Sequence, residues 1–139
     1  MTIHDISLKV KNTPSDGTDN YTNVIASDGT VYSYQFSEVD SHGTTHYGGN
    51  VTFYLSNASD DKVKVDLDNP GPGKPYEIDY VDFADDVNQQ LSWREEGSRY
   101  QAVIHNKGKK VANVYYLVVV LDRSKDYCTV PCDPMINNK

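Results

Sequence analysis

Two cysteines, two methionines and one tryptophan are all that this chain of 139 residues holds of those types. Nor does any apolar run approach the roughly 20 residues that a membrane helix needs. Two thiols cannot by themselves complete a four-ligand zinc site. Positive charge is also scarce. Lys and Arg number 13 against 20 Asp and Glu, for a formal charge of -7. That balance excludes a nucleic-acid binder, which needs clustered cations for the phosphates, and disfavours docking on anionic membranes. The opening MTIHDISLKVKN has no basic start followed by an apolar stretch, so a cytoplasmic protein is expected, with export by another route left open. Helical periodicity is almost missing. So are the usual catalytic signatures: there is no G-x-S-x-G, and NPGPGKP at 69–75 lacks the Lys-Ser/Thr and helix of a phosphate loop.

What is present is alternation. Short runs of alternating apolar residues, separated by Gly, Pro, Asn, Asp and Ser clusters, recur along the chain, the pattern of an all-β sandwich or barrel. Ile6, Leu8 and Val10 predict a first strand, and NTPSDGTDN at 12–20 a loop. YTNVIA at 21–26 and VYSYQF at 31–36 flank Asp28-Gly29, a hairpin signal because Gly supplies a positive φ. SEVDSHGTTHYGG at 37–49 reads as a polar loop, NVTFYLSN at 50–57 as a strand, and DKVKVDLD at 61–68 as another. YEIDYVDF at 76–83 begins with one parity through Tyr76, Ile78 and Tyr80, then switches to Val81 and Phe83. ADDVNQQ at 84–90 fits one helical turn, and LSW, RYQAVIHN, NVYYLVVVL and YCTVP complete the strands. The nearly unbroken apolar run at 114–121 predicts a strand covered on both faces. The expectation is a single domain, residues 1–139, folded as an antiparallel β-sandwich.

Candidate chemistry is thin. Cys128 and Cys132, spaced C-x3-C, admit two reduced thiols or, in an oxidising compartment, a small-loop disulfide. His42 and His46 flank HGTTH, a pair that would need a third ligand to hold zinc or copper. Asp82, Asp85 and Asp86 in DFADDVN, with Asn88, are calcium candidates, since calcium takes six to eight oxygens and β-sandwich lectins hold it at strand ends. Glu95 and Glu96 are adjacent, which on a strand puts their carboxylates on opposite faces and suits paired acid-base chemistry poorly. Trp93 reads either as core or as an exposed platform for a sugar ring, with nearby Asp and Asn for the hydroxyls. No nucleophile and base are recognisable together, which leaves a small hydrolase as the weakest reading.

The closing segment resembles the AidA/PixA family of bacterial inclusion-body proteins. The residues that carry the resemblance are Tyr115, Tyr116, Val118, Val120, Asp122 and Arg123, then Asp133, Pro134 and Ile136, preceded by GKKVANVYY. Trp93 is similar in place to an aromatic before that segment. The resemblance implies a jelly-roll-like or immunoglobulin-like β-sandwich without a catalytic centre or cofactor, accumulating in bacterial cells and in some members lectin-like. Glycans and further copies of the chain are the partners that follow, with no nucleic acid and no membrane insertion. A calcium-assisted lectin or adhesin-type module is the alternative.

Overall fold

The computed structural model describes residues 3–39, 42–47, 62–68, 75–84, 91–106 and 115–133. Ten strands lie among them: β1 Ile3–Lys11, β2 Thr22–Ile25, β3 Val31–Val39, β4 Thr45–Tyr47, β5 Lys62–Asp68, β6 Tyr76–Ala84, β7 Leu91–Glu95, β8 Gln101–Asn106, β9 Tyr115–Asp122 and β10 Cys128–Cys132. A single 3-10 turn, Arg123–Lys125, joins the last two. Seven strands form one sheet in the order β2-β3-β1-β5-β8-β7, with β4 added to the end of β3. The other sheet is β10-β9-β6. The protein is thus a β-sandwich.

The alternation seen in the sequence becomes rows of side chains across each sheet, because successive residues of a strand point to opposite faces. Register places Phe36, Leu8 and Leu67 in one inward row, and Ile6, Val65 and Ala102 in the next. From the other sheet come the rows Ile78-Val120-Val130 and Val81-Val118-Cys132. All of these are buried in one apolar cluster. The Val-rich run is the middle strand of its sheet, and Val118, Val119 and Val120 are all buried. Residues on both sides of the 69–75 break enter this core.

The sequence reading needs correction at two points. One pairing, β1 with β5, is parallel, so the larger sheet is mixed rather than antiparallel. The chain travels through β2, β3 and β4 between the two, and only such a long connection allows a parallel pair. Residues 37–49 are not simply a polar loop. β3 continues through Val39, and Thr45–Tyr47 folds back on it as β4. The strand expected at 50–57 and the helical turn expected after Ala84 lie outside the described residues.

Local chemistry explains the other bends. The β2–β3 turn closes through Gly29 at φ 87°, with Thr30 N–H accepted by the Asp28 carboxylate. In β6 the register against β9 slips between Ile78 and Tyr80. Asp79 is the extra residue of a β-bulge, and it is what lets both Ile78 and Val81 face inward despite their opposite parity. β10 is an edge strand. Thr129 directs its carbonyl and N–H to Ser27, at 3.0 and 2.9 Å, instead of to β9. Alternation puts Pro131 on that same side, where its missing N–H removes the donor that another strand would need.

Deleting Asp79 tests the bulge. Without it Tyr80 and Val81 follow Ile78 against Val119 and Val118 with no slip, so the strand becomes regular with Val81 and Phe83 still inward. Burial of two such side chains, worth about 3–6 kcal/mol in all, is then retained, and the urea midpoint should stay near that of the parent chain. A steep fall would show that Asp79 is not the residue that sets the parity.

Candidate functional site

At one end of the core the inward row of the smaller sheet is polar: Tyr76, Asp122 and Cys128 stand side by side. Tyr32 reaches them from the opposite sheet. Its hydroxyl donates to Asp122 Oδ2 at 2.6 Å and lies 3.2 Å from Cys128 Sγ. The second oxygen, Oδ1, accepts from Ser124 N at 3.0 Å and Ser124 Oγ at 2.6 Å, so the carboxylate also caps the 3-10 turn. Asp122 and Tyr32 are wholly buried. A buried carboxylate needs several donors to offset its lost hydration, and this one has three.

The same closure argues against reactive thiols. Burial pushes the Cys128 thiol up, with the Tyr32 hydrogen bond opposing, and burial alone pushes Cys132 much further. The thiolate, the nucleophilic form, is therefore suppressed. A Cys128–Cys132 disulfide is also ruled out by position. Both are free, four residues apart on one face of β10, a separation of about 13 Å at strand rise. A disulfide needs Cα atoms within about 7 Å.

The accessible chemistry lies on the outer face of β5, β8 and β7. Register arranges it in three rows: Lys62-His105-Ser92, then Lys64-Val103-Arg94, then Asp66-Gln101. Glu96 continues the last row, its N–H bonded to the Gln101 carbonyl at 3.0 Å. Two depressions follow these rows. A shallow cleft of about 470 Å³ is lined by Asp66, Leu67, Glu96, Gly97, Ser98, Tyr100 and Gln101. A smaller, more enclosed one of about 230 Å³ is lined by Lys62, Ser92, Trp93, Arg94, Val103 and His105. The Arg94–Glu96 ion pair spans the boundary between them.

The cleft rim is held by both sheets. The Tyr100 carbonyl accepts from Leu67 N at 2.8 Å, and the Arg99 carbonyl accepts from Ile78 N at 2.7 Å. Arg99 and Arg123 approach the two oxygens of Glu77 at 3.4 and 3.6 Å. Inside the cleft Gln101 Nε2 donates to Asp66 Oδ1 at 2.7 Å, which fixes both side chains. Carboxylates, an amide and a tyrosine are thus presented on a rigid, open surface.

The residues singled out from sequence fall elsewhere. Trp93 sits opposite Ile104, in the inward row, half-buried against the core at the sheet margin. It is the core residue of the two readings. Asp82 is exposed on the smaller sheet, its Oδ1 accepting from Phe83 N at 3.0 Å. Asp85, Asp86 and Asn88 lie outside the described residues. Among the described residues, no three of His, Cys, Asp and Glu are grouped to hold a metal. Asp66, Gln101, Lys62, Arg94 and His105 went unassigned because each is an ordinary outward position of an alternating strand. The signal was their parity, and it acquires meaning only with the register.

Two outcomes test the buried row. Tyr32→Phe leaves Asp122 Oδ2 without that donor and should cost about 1–3 kcal/mol by chemical denaturation. The second concerns alkaline pH. Burial first, then the Asp122 and Cys128 contacts, hold the Tyr32 phenol far above its ordinary 10.0, and burial raises Tyr34 as well and takes Tyr76 to about 12. Cys128 and Cys132 are raised from 9.0. The folded chain therefore keeps protons that the unfolded chain releases, so stability is complete below about pH 9 and falls as pH rises past it. The thermal midpoint should drop steeply above about pH 9, and Cys132→Ala should delay that drop. A midpoint flat to about pH 11 would contradict the assignment.

No protein-family model matches the chain, and no curated protein matches it either.

Proposed function

We propose that this chain is a non-enzymatic binding protein whose outer β5–β8–β7 face takes a carbohydrate. The observation that carries the reading is the Asp66–Gln101 pair in an open cleft of about 470 Å³, within the range of about 300–1,000 Å³ common to small-molecule sites. Sugar hydroxyls donate and accept at once. An acceptor-only carboxylate beside an amide that does both is a matching set. Tyr100 adds an aromatic side chain to the same lining, and Glu96 and Ser98 add further polar partners.

Accumulation in the manner of bacterial inclusion-body proteins belongs to the same proposal. It draws support from the resemblance, whose described residues fall on β9, the 3-10 turn and Asp133 just after β10. These are the parts that build and close the smaller sheet.

A glycan array followed by calorimetry on any hit tests the binding. Asp66→Ala and Gln101→Ala should each weaken binding about tenfold or more, as expected for losing a hydrogen bond to a charged or fixed group. Asp82→Ala, at an exposed position on the smaller sheet, should leave affinity intact. An array without hits, or affinity that survives both Asp66→Ala and Gln101→Ala, would sink the reading.

A further inference from the structure

The proposed sugar cleft has a neighbour of opposite polarity. Beside it on the same face, the smaller depression is lined by Lys62 on β5, Val103 and His105 on β8, and Ser92, Trp93 and Arg94 on β7. Lys64 stands in the adjoining row, opposite Val103. This concentration of cations occurs on a chain whose formal charge is -7. Its floor is Val103, only 6% exposed although it faces away from the core. Carboxylates flank the group without filling it: Asp5 faces Lys64 from β1, and Glu96 holds Arg94 from the cleft side.

From this we infer that the face binds an oxyanion-bearing saccharide, a sugar sulfate or phosphate ester, with the ester group in the Lys62–Arg94–His105 depression and a neighbouring ring of the same saccharide in the Asp66–Gln101 cleft. The inference rests on the carbohydrate reading and adds the substrate class to it. Three lines of argument join. Lys62, His105 and Arg94 bring N–H donors from three adjacent strands, about 4.8 Å apart, with a cation on each outer strand, and so approach a ligand from more than one side. That suits the three terminal oxygens of a tetrahedral ester. The Arg guanidinium offers several N–H groups in a fork, so its contact with Glu96 leaves others for the ligand. The depression fills the rows of Lys62 and Lys64 and the cleft begins at the row of Asp66, so Lys62 and Asp66 stand about 13 Å apart along β5, a span for an ester on one sugar and the ring of the next. The acidic remainder of the protein repels anions at long range, so binding depends on this local group and weakens with salt.

The test uses the full chain, labelled with 15N. Inorganic sulfate at millimolar concentration should shift the amides of Lys62, Arg94 and His105 in a saturable way. Lys62→Gln and Arg94→Gln should each reduce that affinity about tenfold. On an array of matched glycans, sulfated or phosphorylated members should bind about tenfold or more tightly than their neutral counterparts, with the preference lost in both variants. If sulfate moves none of these amides, or neutral and esterified glycans bind alike, the inference is overturned. Sulfate binding with no glycan hit would keep the oxyanion site and remove the carbohydrate reading. Neutral glycans that depend on Asp66 but ignore Lys62 and Arg94 would do the reverse.

Discussion

The hydrogen bond from the Tyr32 hydroxyl to Asp122 joins positions 90 residues apart and crosses from one sheet to the other. Asp122 ends β9, caps the 3-10 turn through Ser124 and stands beside Cys128 and Tyr76 in the same row. A carboxylate at this depth is tolerated only in the one arrangement that supplies its donors. Dispersion and apolar burial would accept many relative placements of the two sheets; this contact accepts few. It fixes where the β2–β3 hairpin meets the β9–β10 turn, and from that corner the rest of the sandwich is aligned. Ser27 and Thr129 then bond across the same corner.

The β6 side of the sandwich is fixed by different means. The turn at 97–100 hands one carbonyl to β5 and another to β6, so it belongs to both sheets. Glu77, nearly buried on β6, draws Arg99 and Arg123 over itself. One exposed arginine held by a carboxylate adds little to stability, but here two of them converge on a single anchor and bring the turn and the 3-10 segment to the same strand. The proposed binding face owes its rigidity to this margin. Asp66 and Gln101 sit on β5 and β8, each paired on both sides, and Tyr100 on a turn braced twice, the kind of support that holds polar groups ready for a ligand.

Polar groups elsewhere serve the fold. The loop at 12–20 lies over β3 because Ser33 Oγ and Gln35 Nε2 donate to its Thr13 and Asp19 carbonyls, at 2.8 and 3.0 Å. Within the loop the Ser15 hydroxyl, the Tyr21 N–H and the Lys11 ammonium hold Asp19, lowering its carboxyl to about 2. Lys11 also rests 3.8 Å above the Tyr21 ring. This explains why Ser33 and Gln35, outward by parity, are buried.

Much of the fold could be read from the chain. Ile6, Leu8 and Val10, or Val63, Val65 and Leu67, declare their strands and their inward faces by alternation alone, because side-chain direction has a period of two. The Asp28-Gly29 turn and the buried Val-rich strand were likewise local properties. The parity switch at Val81 was visible, but its meaning as a bulge needed the partner strand. The proposed binding face was not legible at all. Lys62, Asp66, Arg94 and Gln101 are spread over three strands, and each looks like any solvated outward residue. Trp93, which the sequence left as core or platform, lies at the core margin. The sequence by itself determined which residues of each strand share a face. Only the tertiary structure decided which strands lie side by side, since pairing and register are fixed by contacts between distant segments, and a site built across a sheet exists only once those are set.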